Sequence, residues 1–167
     1  METLEQLREQ DRLAAIGPGP VGLGGWLILP LLGIIMTPIM AVVGMMGMLP
    51  AIDGYQTMTA VQQLLLWFEL ISNLVFQGIV PIVLLVLFFR QMRSFPLVYV
   101  TWISLNMIVM LLDLIFAYHA FRDYYDSPGA VFWDTETVQT LGRSVLGVAI
   151  WVPYMMNSRR VQNTFVN

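Results

Sequence analysis

The chain has no cysteine, no lysine and a single histidine, and only 11% of its 167 residues are charged. Without cysteine there are no disulfides, no thiolate metal ligands and no thiol nucleophile. One histidine leaves too few ligands for a structural zinc site. All eight basic residues are arginine against eleven acids, so the net charge is 8 − 11 = −3. No basic face is available to hold nucleic acid by neutralising phosphates. The opening METLEQLREQDRLAAIGPGP mixes charges before any apolar run. A secretory signal instead starts with a positive patch, an apolar core and a small-residue cleavage site. The first hydrophobic segment is therefore expected to remain in the mature protein.

What is present is apolar: 57% of the residues are hydrophobic, with a mean hydropathy of +0.72. Apolar runs cover residues 26–49, 64–89, 97–118 and 138–156. Each is close to or beyond the roughly 20 helical residues that cross a hydrocarbon core of about 30 Å. A lone strand in lipid leaves its backbone unsatisfied, so each run is expected to be a helix. The expected fold class is all-α, a polytopic membrane protein with a four-transmembrane-helix bundle over 21–157. A short amino-terminal surface helix and a Gly-Pro hinge are expected over 1–20, and a cytoplasmic tail over 158–167. In the surface helix, Glu5 with Arg8 and Glu9 with Arg12 are spaced i,i+3, and Leu4, Leu7, Leu13 and Ile16 give a loose apolar side.

Orientation follows from the arginines. With the amino terminus inside, one side holds Arg8, Arg12, Arg90, Arg93, Arg159 and Arg160, and the other only Arg122 and Arg143. Asp53, Asp123, Asp126, Asp134 and Glu136 collect opposite the majority. The positive-inside rule then puts both termini in the cytoplasm, with Arg90, Arg93, Arg159 and Arg160 as the topology determinants. The second and fourth spans each carry a proline shortly before a basic exit, in GIVPIVLL and AIWVPYMM. Either a duplicated hairpin or simply a shared exit side accounts for this.

Three stretches go beyond hydropathy: GLGGWLIL at 22–29, FFRQMRSFPLVYV at 88–100 and WVPYMMNSRRVQNTFV at 151–166. Together they resemble the bacterial membrane-protein family catalogued as domain of unknown function 2569. The resemblance implies a four-span protein of the bacterial inner membrane and supplies no catalytic residues.

Ionisable groups inside a span are costly and face protein or water. Three occur here: Glu69 and Arg143, each five residues into an apolar run, and Asp113, five before the end of one. At about 1.5 Å per residue all three lie roughly 7–8 Å below the same boundary. Two carboxylates and a guanidinium at one depth are expected to pair across three helices. Glu69, Asn73 and Gln77 recur every four residues, and Asn106 and Asp113 are seven apart, so a polar stripe is expected to extend from the cluster. The set Glu69, Asn73, Gln77, Asn106, Asp113 and Arg143 is either a structural clamp, aided by snorkelling to the headgroups, or a transport site.

Other features have plainer readings. His119, beside Tyr118 and Phe121, is expected at the membrane interface rather than in a proton relay. Gly17 to Gly22 spells G-x-G-x-x-G, but its prolines remove amide donors and no βαβ unit surrounds it, so no nucleotide is expected. The methionines between Met36 and Met48 are expected to pack apolar faces rather than hold copper, with Gly33, Gly44 and Gly47 marking close helix contacts. Pro30, Pro38, Pro81 and Pro153 are expected to kink or open their helices. No Ser-His-Asp grouping, phosphate loop or His-Glu-x-x-His helix is present. The expected function is therefore non-enzymatic, without metal or cofactor. The chain is expected to be a membrane component that contacts the lipid bilayer and self-associates or docks to a larger membrane complex. The alternative is a small dimeric transporter or channel passing an ion, proton or small solute through the Glu/Asp/Arg cluster.

Overall fold

The computed structural model describes Gln6, Leu7, Gln10, Leu13 and residues 17–166. The surface helix expected over 1–16 lies mostly outside the described residues. The described chain is helical, without strands. A 3-10 turn (Gly25–Leu27) leads into α1 (Ile28–Gly47) and the short α2 (Leu49–Asp53). The second long helix comprises α3 (Ala60–Ser72), a π-helical turn (Asn73–Ile79) and α4 (Val80–Phe89). After a tight reversal come α5 (Phe95–Ala120), α6 (Arg122–Tyr125), α7 (Thr135–Asn157) and α8 (Arg159–Thr164).

Three of these rods, Gly25–Asp53, Ala60–Phe89 and Phe95–Ala120, are long and apolar enough to cross a membrane. The fourth expected span, 138–156, is helical within α7, but Gln139, Thr140, Arg143 and Ser144 dilute its apolar character. The helices also outrun the apolar runs at their ends. Thr59 and Gln62 form a reciprocal capping box, which begins α3 four residues before the expected start of the span. Gln62 also reaches across to the last turn of α5, its Nε2 donating to the Ala120 carbonyl at 3.2 Å.

The reversal between α4 and α5 is a Schellman closure: the Met92 amide bonds to the Leu87 carbonyl and the Gln91 amide to Phe88, both at 3.0 Å. Gln91 takes the left-handed conformation at φ 52°, a position where glycine is usual. This turn brings Phe95 against Phe88 with ring centroids 5.2 Å apart. Phe165 stacks on Phe95 at 4.5 Å. Leu27, Ile34, Leu84, Tyr99, Met155 and Val161 complete the buried cluster, so the helix ends near Arg90, Arg93, Arg159 and Arg160 meet in one knot. α1 packs on the second rod, that rod on α5, and α5 on α7.

The knot corrects two expectations. Residues 158–167, expected as a tail, contain α8, whose Val161, Asn163 and Thr164 are buried. Residues 17–22, expected as a hinge, are tied to it. The Asn163 side chain accepts from the Gly17 amide at 3.0 Å and donates to the Gly17 carbonyl at 2.9 Å. Thr164 Oγ1 accepts from the Gly22 amide at 3.0 Å and donates to the Gly22 carbonyl at 3.3 Å. Glycine suits position 25: its φ is +61°, in the left-handed region, and a Cβ there would lie 3.2 Å from Arg160 Cζ, so the arginine would have to shift. The physical reason for both corrections is that prolines and glycines at 17–22 leave backbone groups without helical partners, and polar side chains of α8 supply them.

A third correction concerns Gly33, Gly44 and Gly47, which mark no close helix contact, since an added Cβ at any of them meets nothing within 4 Å. The buried face of α1 is Pro30, Ile34 and Ala41, and these glycines lie off it. Pro38 and Pro153 sit inside helices that continue past them, while Pro81 stands where the π turn gives way to α4.

Asn163→Ala removes both side-chain bonds to the Gly17 backbone, whose groups water can then reach, and should lower stability by about 1 kcal/mol, read by thermal unfolding in mild detergent. Asp134 caps α7 by accepting from the Thr137 amide at 2.7 Å, and that bond holds its carboxyl below the usual aspartate range. A depressed folded value stabilises above the unfolded value of about 3.9 and is lost as pH falls through the folded one. The Thr137 amide resonance should therefore titrate below pH ~3.9, and Asp134→Asn should remove the response.

Candidate intramembrane site

The π turn explains why polar side chains gather between the second rod and α5. The Val80 amide bonds back five residues to the Val75 carbonyl. In that register the partner of the Phe76 carbonyl is residue 81, a proline without an N–H. Trp102 of α5 fills the gap, its Nε1 donating to the Phe76 carbonyl at 2.7 Å. One turn further, Gln77 Nε2 donates to Asn106 Oδ1 at 2.7 Å, and Asn106 Nδ2 donates to the Trp102 carbonyl at 2.9 Å. Asn73 turns inward on its own helix, its Nδ2 donating to the Glu69 carbonyl at 3.0 Å. The three amides are thus occupied in holding helices and backbone.

Beyond the Gln77–Asn106 bond the helices enclose a cavity of about 290 Å³ lined by Glu69, Asn73, Gln77, Asn106 and Asp113, together with Ser72 and apolar side chains. Five of the six residues expected to form the polar site therefore share one cavity. Phe68 lines it too and meets Phe116 edge-on, with centroids 5.3 Å apart, which joins α3 to α5. Glu69 and Asp113 are half-buried, and Asp113 Oδ1 is buried without a hydrogen-bond partner. A second cavity of about 300 Å³, on the α1 side, is lined by Met36, Thr37, Met40 and Ala41 and shares Asn73 and Gln77 with the first.

Arg143 is the exception and the main correction. It is exposed, does not line the cavity, and makes no ion pair among the described residues. Depth along a helix fixes the level of a residue but not its direction. Leu141, Ser144, Val148, Trp151 and Met155 form the half-buried to buried face of α7. Arg143 is five positions before Val148, about 140° around at 100° per residue. The 3.6-residue period of that face was readable in the sequence and points Arg143 away from Glu69 and Asp113. Conversely, the need of the Phe76 carbonyl for Trp102 was not readable, because a π turn has no composition signal of its own.

Elsewhere, His119 is exposed beside Tyr118, as expected. Among the described residues no three His, Cys, Asp or Glu side chains group as metal ligands.

Trp102→Phe should destabilise the fold by about 1–2 kcal/mol by stranding the Phe76 carbonyl. In a Pro81→Ala background, where residue 81 regains an N–H, the same change should cost clearly less. A double-mutant cycle on detergent-solubilised protein measures the difference.

Neither the search of curated proteins nor that of solved structures gave a match. A family model described as "Protein of unknown function (DUF2569)" matches residues 20–166, from the glycine-rich entry to the last turn beside Phe165. The chain therefore belongs to this DUF2569 family, and its apolar helices make it a membrane protein.

Proposed function

We propose that the chain is a small four-span membrane protein, without enzymatic activity, that takes up a proton or a cationic group at Glu69 and Asp113 and passes it across the bilayer as a transporter or channel. In this reading α7 is the fourth span. Both termini and the Arg90, Arg93, Arg159 and Arg160 end lie on the cytoplasmic side of a bacterial inner membrane, and the cavity opens toward the other side. The arginine distribution supports that orientation.

One observation carries the reading: two carboxylates line a single polar cavity that, among the described residues, no basic one lines. If the cluster were only a clamp, the carboxylates would be expected to take part in the hydrogen bonds between helices. Instead the Gln77 and Asn106 amides bond between the helices, and Asp113 keeps a buried oxygen unpartnered. Paired carboxylates without a counterion favour a positive charge or a bound proton. The second cavity shares Asn73 and Gln77 with the first and lies toward α1. The π turn and Pro81 place a deformable segment at that junction. A second reading, docking to a second copy or a larger membrane complex, is favoured by Arg143. It stands exposed on α7 near the exposed Val145 and Leu146, where an acidic partner within the membrane would satisfy it.

The test is reconstitution of the full chain into liposomes with a pH-sensitive dye and a panel of monovalent cations. Wild-type protein should carry a flux, and Glu69→Gln and Asp113→Asn should each lower it by about tenfold or more, as expected on removing a charge-assisted contact. Arg143→Gln, outside the cavity, should leave it intact. Absence of flux, or flux indifferent to both carboxylate substitutions, rejects the transport reading. Co-purification with a partner that Arg143→Gln abolishes would favour the docking reading.

A further inference from the structure

At the arginine-rich end, away from Glu69 and Asp113, a cavity of about 410 Å³ lies between the start of α5, the end of α7 and α8. Its chemistry is divided. Arg93 and Gln162 supply the polar part, while Leu97, Val100, Met156 and Phe165 supply apolar walls, and among the described residues no acidic one lines it. Val100 is about two helical turns beyond Arg93, so the apolar walls extend roughly 10 Å along α5 from the charge. Leu97 and Met156 are exposed, which opens the groove to the surroundings of the helices.

Arg93 is held in place rather than loose. Its Nε donates to the Val166 carbonyl at 3.0 Å. That bond uses one of five donors and leaves the terminal fork, on an exposed side chain, free for two parallel bonds to a phosphate. A fixed guanidinium at the mouth of an apolar groove beside a membrane-crossing helix matches one ligand: an amphiphile with an anionic head and a hydrocarbon tail. We propose that this groove is a binding site for an anionic phospholipid, its phosphate on the Arg93 fork and the Gln162 amide, and one acyl chain along Leu97, Val100 and Met156. A zwitterionic lipid has the same phosphate but carries its own cation, which weakens attraction to an end already bearing Arg90, Arg159 and Arg160.

The site is independent of the transport reading, since none of its residues lines the carboxylate cavity. The test is native mass spectrometry of the full chain in mild detergent, titrated with phosphatidylglycerol or phosphatidylcholine of identical chains. Wild-type protein should retain phosphatidylglycerol about tenfold more tightly. Arg93→Gln should abolish that preference, whereas Arg159→Gln, outside the groove, should keep it. Because Arg93 also holds the Val166 carbonyl, Val100→Trp provides the second arm: it fills the groove with the guanidinium intact and should lower retention of the diacyl lipid about tenfold. Equal retention of both lipids overturns the proposal, as does an unchanged preference in folded Arg93→Gln protein or unchanged retention in Val100→Trp. Full displacement of the lipid by millimolar inorganic phosphate would also overturn it, by showing an anion site with no use for the groove.

Discussion

Within hydrocarbon a backbone amide or carbonyl without a partner is too costly to keep, and Pro81 breaks that rule in the middle of the second rod. The structure answers locally with a π turn and across the interface with the Trp102 indole. Much else follows from this repair. Trp102 sets the rotation of α5 against the second rod, and Asn106, one turn along, then meets Gln77. Because the amides close this side of the interface, the space beyond them is left to Glu69 and Asp113. The polar cavity is in that sense a consequence of one missing N–H.

The opposite end is built on burial instead. Phe88, Phe95 and Phe165 converge there, and the chain entering α1 is fastened to α8 by Asn163 and Thr164. The three stretches that resemble the DUF2569 family, 22–29, 88–100 and 151–166, are far apart in the chain and meet in this knot. Gly25 lies under Arg160, Phe95 under Phe165, and Arg93 holds the carbonyl of Val166. Those stretches thus share one packing core. The two ends thus differ in chemistry: an aromatic core beside the arginines, and a polar cavity around Glu69 and Asp113.

Several features were legible early because each rests on a one-dimensional pattern. Apolar runs set the helices, and the four-residue spacing of Glu69, Asn73 and Gln77 put them on one face. Where pattern and structure part, direction around a helix is what differs. Depth alone groups Arg143 with Glu69 and Asp113, but its angular position on α7 turns it outward. Gly33, Gly44 and Gly47 suggested close contact by composition, while their positions on α1 fall off its buried face. Polarity makes residues 158–167 read as a tail, yet the polar Asn163 and Thr164 are themselves buried and bond the backbone of Gly17 and Gly22.

By itself, then, the sequence determined that this is a helical membrane protein, which end carries the arginines, and which polar side chains share a helix face. These properties depend on composition and on periods of a few residues. Only the tertiary structure decided that five polar residues share a cavity, that Trp102 serves a carbonyl of another helix, and that α8 closes the bundle's end. Each of those depends on how one helix is rotated against its neighbour. That rotation is set by contacts between residues tens of positions apart, which no local pattern encodes.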